Sequence, residues 1–480
     1  MPINRETVFV IPTHRLKEVG DTVRAYDEHF WRNGHAIKLI VFDDSSVANH
    51  NKYFSDLENT ATYNPLFYVG PKEKEQFIEY LGARVGNRSI QGIIRGLFRP
   101  SYGGNRNCAL MYTLGDHFIS SDDDMRPHGC IEDRSDSLEE REVSKGKLLS
   151  KESKGYSERS YDLYRAFADV IGKKVSEVPT GFERGEYLED SSMDLETNVS
   201  RGVAKENSLF LKNGKIPANH IVKMAQTYRS GTNDIDALDY AEMFLHDDQR
   251  HDLEHLNDIY VLSNFRPVVT KVNWRMDCGV AAYDNSTGLP PFFPTRLRFE
   301  DYVYRLWIQQ DGIASAHVDA VQTHMKSNYM RNPLAAEVFN EEIANLLKRK
   351  IKSSLVSVDE LTIGFDYDGQ VSMEDASFVL DRVKRLHSHF MKSATSSDHP
   401  LRKETLTLFS TNLEKAFYGF EPDFFQQNVS RIVDDVITQF KASFEIWPTL
   451  VEIAFFQKMK AGLPMLKVKN PQRRVEMENV

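Results

Sequence analysis

GGNRNCALMYTLGDHFISSDDDMRP, residues 103–127, runs from a glycine pair through an apolar stretch into three consecutive aspartates, Asp122, Asp123 and Asp124. Carboxylates set side by side repel, and a folded chain tolerates them cheaply only on a solvated turn or around a cation. If a strand continues through them, Asp122 and Asp124 share one face and Asp123 points away; in a turn all three can converge. Two carboxylates are too few for an all-protein calcium cage. They suit Mg2+ or Mn2+, whose remaining ligands are water and substrate phosphates. Taken alone, the triplet reads equally well as a solvated turn, because short acidic runs are common on surfaces.

Outward from the triplet, residues 1–130 alternate strand and helix signals. TVFVIPTH is a short apolar run stopped at Pro12, and KEVGDTVRAYDEHFWRNG has helical spacing ending at Gly34. AIKLIVFDDSS and NPLFYVG read as further strands, NRNCALMYTLG as a helix closed by Gly115, and DHFISSDDD as a fourth strand. This alternation predicts an α/β domain with a mainly parallel sheet. Ligands of such sheets bind beyond the carboxyl ends of the strands, where this chain places Thr13 and His14, Asp43 and Asp44, and Asp122 to Asp124. An acidic residue there can accept from a base N–H or from ribose hydroxyls. Between the two acidic sites, RVGNRSIQGIIRGLFRPSYGGNRN holds Arg84, Arg88, Arg95, Arg99 and Arg106. A Gly-Gly turn at a helix start exposes N–H groups to an anion, and Gly103 and Gly104 put Arg106 at the head of that helix. Arg106 is therefore the phosphate contact expected of this group.

The rest of the chain is less regular. Residues 131–160 are highly charged and Ser-rich, as in a solvated loop, and 161–260 read as mostly helical, for example HIVKMAQTYRS and DALDYAEMFLHDD. Strand character returns in DIYVLSNFRPVVTKVNWRMDCGVAAYD. FEDYVYRLWIQQDG then has helical amphipathicity, GIASAHVDAVQTH looks like a strand and turn, and everything beyond 333 reads as helical. With 480 residues the chain exceeds one ordinary core. Four parts are expected: 1–130, a charged loop and helical insertion over 131–260, 261–332, and a helical domain over 333–480 whose helices could carry an oligomer contact.

A net charge of −10 argues against a general nucleic-acid binder. Three distant cysteines, Cys108, Cys130 and Cys278, make no disulfide framework and no paired zinc motif, which fits a reducing compartment. There is no signal-like segment and no apolar run long enough to span a bilayer. The expected location is cytoplasmic, with peripheral membrane contact left open.

In order and motif the chain resembles the GT-A-fold glycosyltransferases, particularly the large family that includes cellulose, chitin and many bacterial polysaccharide synthases. VFVIPTHR matches a first strand ending near Pro-Thr, and VFDDSS an Asp-Asp-Gly-Ser-like motif without its glycine. GGNRN is close to the family's Gly-x-x-x-Arg-Asn helix start, and DDD to its Asp-x-Asp metal motif. The resemblance covers about residues 7–127 and 260–330. It implies a Rossmann-like fold and a UDP- or GDP-sugar donor, with Pro12, Thr13, Asp43, Asp44 and Arg106 on the nucleotide side and Asp43 against the base. It also implies Mn2+ or Mg2+ on Asp122 and Asp124. Downstream, MDCGVAA resembles the acceptor-side loop, with Gly279 admitting the sugar, and RFEDYVYRLW the Glu-Asp motif, Glu300 and Asp301. Asp301 would be the general base of an inverting enzyme. His324, in DAVQTHMKS, resembles the late histidine that completes metal or diphosphate binding. The acceptor would be a glycan, a lipid-linked species or a small molecule. Read without the family, a Glu-Asp pair at a helix start is a dipole-favourable cap, and a single histidine is an ordinary hydrogen-bonded one. The gap from Asp124 to Gly279 is longer than the family's catalytic core needs.

Two rival readings remain. HDDQRHDLEH carries His246, His251, His255, Asp247, Asp248 and Asp252, and His251 and His255 would share a helix face at zinc-binding spacing. That cluster suits a metal-dependent phosphohydrolase; as a solvated helix end it has no further ligands to complete a site. The other rival is a non-catalytic nucleotide-sugar-binding scaffold whose helical half binds partners.

Overall fold

The computed structural model describes residues 7–132, 147–149, 156–179, 183–184, 218–230, 279–294 and 373–469, with short stretches between them, chiefly 260–262, 268–270, 300–301, 314–324, 355–357 and 363–365. The chain opens with β1 (Thr7–Thr13), α1 (Leu16–Arg32), β2 (Lys38–Asp43), α2 (His50–Glu58), β3 (Leu66–Val69), α3 (Pro71–Val85), α4 (Arg88–Leu97), α5 (Tyr102–Tyr112) and β4 (His117–Ser121). The punctuation is local. Helix α1 ends before Gly34 at φ +77° and α3 before Gly86 at φ +71°, the left-handed backbone that favours glycine. The Asn87 side chain caps α4 by accepting from the Ser89 N–H.

β1 pairs in parallel with β2 on one side, from Val8 against Lys38 to Thr13 against Asp43, and with β4 on the other. β2 pairs in parallel with β3. The spatial order β3-β2-β1-β4 reverses direction at β1 and β4, so a crevice opens there beyond the strand ends. Period-two alternation sends Val8, Val10, Ile40 and Phe42 into one core with α3, α4 and α5. Phe9, Ile11, Leu39 and Val41 enter a second core against Val19, Val23, Tyr26 and Phe30 of α1. The four α1 residues fall at helical spacing on one face, and Phe9 sits with its ring centroid 4.6 Å from that of Tyr26.

Short strands follow: β5 (Met125–Arg126), β6 (Gly129–Glu132), β7 (Lys147–Leu149) and β8 (Tyr156–Arg159). Then come α6 (Leu163–Ala168), β9 (Glu183–Arg184), β10 (Val222–Ser230), β11 (Tyr260–Leu262), β12 (Val268–Thr270), β13 (Val280–Asp284) and β14 (Ala314–His324). β13 joins β4 antiparallel, β10 lies between β13 and β14, and β14 runs parallel to β10. The expected helix over HIVKMAQTYRS is therefore a strand in the middle of the sheet. Its apolar spacing fits a helix face as well as a strand buried on both sides. Insertion between β13 and β14, with Val222, Met224, Ala225 and Gln226 all buried, decides the matter. The insertion is thus not purely helical; DALDYAEMFLHDD lies almost entirely outside the described residues.

The C-terminal part is mostly helical, with α7 (Met373–Ser396), α8 (Pro400–Phe420) and α9 (Ser430–Ala461). It also contains strands that its composition did not announce. β15 (Leu355–Ser357) pairs with β16 (Ile363–Phe365), and β17 (Leu466–Lys467) adds to the sheet edge beside β3. Helix α9 belongs to two cores. Val433 and Ile437 pack among α7 and α8, whereas Trp447, Leu450 and Ala454 pack beneath the sheet. Trp447 Nε1 donates to the Leu289 carbonyl at 2.7 Å, satisfying the indole where it is buried. The whole is an α/β fold with one large sheet flanked by helices.

Candidate functional site

The aspartate triplet is a tight turn between β4 and β5. The Asp122 N–H donates to the Gly279 carbonyl at 2.9 Å, and the Met125 N–H to the Asp122 carbonyl at 3.2 Å. Asp123 points inward: it is 4% exposed, accepts from Thr13 Oγ1 at 2.6 Å, and offers its carbonyl to Thr22 of α1. Burial pushes its carboxyl up to about 6, against the nearby charge of Arg15. Asp124 is buried and ion-paired with Arg15, whose Nη1 also lies 3.4 Å from Asp123 Oδ1. Asp122 is the outward member, with a side chain 38% exposed.

Behind Asp122 stands Arg106. Its Nη2 lies 2.6 Å from Asp122 Oδ1, its Nε 3.2 Å from Glu300 Oε1 and its Nη1 3.4 Å from Ser120 Oγ. The Arg106 side chain is 7% exposed, with its guanidinium beside the ring of Phe292, and it joins the β4 end to Glu300. The residue expected to contact phosphate is thus ion-paired on both sides within the fold. The glycines before it have a different use as well. A Cβ on Gly103 would stand 1.8 Å from the Phe293 carbonyl oxygen, and one on Gly104 would stand 2.0 Å from that of Arg99. The Gly104 N–H already donates to Ser101 Oγ. The pair brings α5 close to its neighbours, which is a packing requirement and not an open anion-binding turn.

Asp43 and Asp44 are also spent internally. Asp43 is fully buried and accepts from Ser45 N at 2.7 Å, Ser45 Oγ at 2.9 Å and Tyr68 OH at 2.7 Å. Asp44 accepts from Lys74 Nζ at 2.7 Å and Ser101 N at 2.6 Å. Lys74 Nζ reaches Asn105 Oδ1 in turn, and Asn105 Nδ2 donates to the Phe42 carbonyl. These carboxylates are struts that tie the end of β2 to β3, α3 and α5. Asp43, expected against a base, accepts three hydrogen bonds within the fold. At a strand end an acidic residue reads the same whether it faces the crevice or a distant neighbour.

On the other wall, the register of β13, Val280 against Ser121, sets Gly279 beside Asp122. Glu300 and Asp301 have helical conformation, Glu300 buried and Asp301 half-buried. Tyr304 stacks on Phe292 with centroids 3.7 Å apart, holding this segment to the Arg106 shelf. His324 ends β14 opposite Met125, the residue after Asp124. Pro12 is half-buried in β1 beside Phe42, and Thr13 reaches the triplet directly. The fold thus gathers Thr13, Asp122, Asp123, Asp124, Arg106, Gly279, Glu300 and Asp301, and places the backbone of His324 alongside. The cluster from His246 to His255 lies outside the described residues.

Two further residues stand at the β1 end: His14, named in the strand-end pattern, and Arg15, which was not expected at the site. Arg15 is the cation that faces Asp123 and Asp124, and its place directly after the Pro-Thr strand end was the available signal. His14 meets Tyr102 edge-on at 6.4 Å on the crevice rim, and burial there lowers its imidazole.

The carboxylates of Asp122, Asp123 and Asp124 stand with the guanidiniums of Arg15 and Arg106, Arg126 reaches Thr22 close by, and Asp301 adjoins Glu300. Burial and the adjoining charge of Asp301 hold Glu300 well above the ordinary glutamate range, although Arg106 opposes them. A raised native value means that the folded chain keeps a proton the unfolded chain gives up. Stability should therefore be greatest below pH 4.5 for this group and fall as the pH rises through neutrality. Urea unfolding across that range should show the slope, and Glu300→Gln should flatten it; an unchanged slope would contradict the assignment.

Hard carboxylate oxygens fit a divalent oxygen-seeking cation. Among the described residues no three His, Cys, Asp or Glu side chains already surround one point. A cation held here would take its remaining ligands from water and phosphate oxygens. No family model, no curated protein and no solved structure matches the chain.

Proposed function

We propose that this chain is a GT-A glycosyltransferase that moves a sugar from a UDP- or GDP-sugar to an acceptor hydroxyl, with inversion. The observation that carries the reading is the acid-rich crevice at the β1–β4 switch point, where a half-exposed Asp122 stands beside Asp124 and across Arg106 from Glu300. A cation would offset the repulsion between a diphosphate and these carboxylates.

Asp122 and Asp124 would hold Mn2+ or Mg2+, with His324 as a further ligand. When bound, the ion neutralises charge on the departing nucleoside diphosphate. Pro12 and Thr13 line the nucleotide side, and Gly279 leaves room for the sugar. Asp301 removes the proton from the acceptor hydroxyl as its oxygen bonds to the anomeric carbon. The anomeric carbon–phosphate oxygen bond breaks, and its electron pair leaves with the nucleoside diphosphate. Arg106 keeps Asp122 and Glu300 in place throughout. The acceptor is a glycan, a lipid-linked species or a small molecule, and the proposed setting is cytoplasmic. Among the described residues no helix is long and apolar enough to cross a membrane.

A panel of nucleotide sugars incubated with the full chain and Mn2+ should release UDP or GDP from at least one donor. Failure of every donor, together with metal-dependent nucleotide binding, would favour the scaffold reading instead.

A further inference from the structure

We propose that Arg15 is an exchangeable counter-charge: it occupies Asp123 and Asp124 in the donor-free protein and passes to the donor's diphosphate when a cation takes Asp124. This deepens the transferase reading and rests on it.

The two guanidiniums of the crevice are built differently. Arg106 has a side chain 7% exposed, bonded to three side chains and set against Phe292, so it has no room to move. Arg15 has a side chain 28% exposed and reaches the aspartates from the segment joining β1 to α1. Its backbone is fixed, because the Arg15 N–H donates to Thr13 Oγ1 at 3.1 Å, and Thr13 in turn holds Asp123. The side chain can therefore swing while its root stays at the crevice.

Arg15 is bonded to Asp124 through Oδ2. That oxygen cannot accept a guanidinium N–H and coordinate a cation along the same direction. A cation that takes Asp124 Oδ2 in the direction now held by Arg15 displaces it, and the released fork then lies beside the ion, next to the ion-bound phosphates. A planar guanidinium suits two phosphate oxygens at once, which an ammonium does not. In the donor-free protein the same contact relieves repulsion between two adjacent carboxylates. Arg15 thus competes with the cation when donor is absent and assists binding when donor is present.

Removing it should move the two affinities in opposite directions. Calorimetric titration of MnCl2 into the full chain without nucleotide should show Arg15→Gln binding Mn2+ about tenfold more tightly than wild type. With saturating Mn2+, the same variant should bind UDP or GDP about tenfold more weakly. Arg15→Lys keeps the charge but loses the fork, so its Mn2+ affinity should stay near wild type while nucleotide binding weakens. Equal affinities in wild type and Arg15→Gln, or shifts of the same sign, would overturn the proposal and leave the transferase reading standing. A wild type that binds neither Mn2+ nor nucleotide would sink both.

Discussion

Gly103→Ala is expected to destabilise the chain by about 3 kcal/mol or more, the upper end for forcing extra volume into a packed interior. The new methyl would meet backbone atoms, 1.8 Å from the Phe293 oxygen and 2.5 Å from its carbon, so no rotamer change relieves it. Helix α5 is buried along almost its whole length and cannot tilt away. The opposing segment is equally fixed: Asn107 exchanges hydrogen bonds with the Phe292 carbonyl and N–H, and Arg99 Nε donates to Pro294. Gly92→Ala, on the exposed face of α4 with nothing within 4 Å, is the control. It should be stabilising by about 0.5–1 kcal/mol, since alanine is the better helix former. Urea midpoints compare the two, and a Gly103→Ala protein as stable as wild type would refute the packing role.

Asp122→Asn and Asp124→Asn should each lower sugar transfer by about a thousandfold, equivalent to about 4 kcal/mol of lost transition-state stabilisation. Both changes keep the side-chain shape and remove a charge from the position assigned to the cation. Asp122 is partly exposed and asparagine still accepts from Arg106, so the fold should tolerate the change. Asp43→Asn is the informative contrast. Three donors converge on Asp43, and an amide nitrogen among them would face a donor in place of an acceptor. That variant should lose stability while leaving Mn2+ affinity unaltered. If Asp43→Asn instead weakened nucleotide or metal binding in a fully stable protein, the strut assignment would be wrong.

The contrast also marks where sequence reading succeeds. β1 to β4 were legible because buried strands and helix faces have different apolar periods, and Gly34 and Gly115, both with positive φ, follow helices as expected. The turn of Asp122 to Asp124 at the end of β4 was legible because charge repulsion between neighbouring carboxylates is a local fact. HIVKMAQTYRS was not legible as a strand, since its burial is decided by β13 and β14, over fifty residues away in the chain. Arg106, Asp43 and Asp44 lie at the expected rim, and their internal bonds were not foreseen. Their partners, Glu300, Tyr68 and Lys74, come from other elements, and nothing in local spacing announces them. Arg15 was overlooked for the same reason.

The central claim, a cation-dependent nucleotide site at the β1–β4 switch point, is tested most directly by calorimetric titration of UDP and GDP into the full chain with and without Mn2+. One nucleotide should bind when Mn2+ is present and lose that binding when the ion is removed or Asp124 is changed to Asn. Absence of binding, or binding indifferent to both Mn2+ and Asp124, would contradict the account.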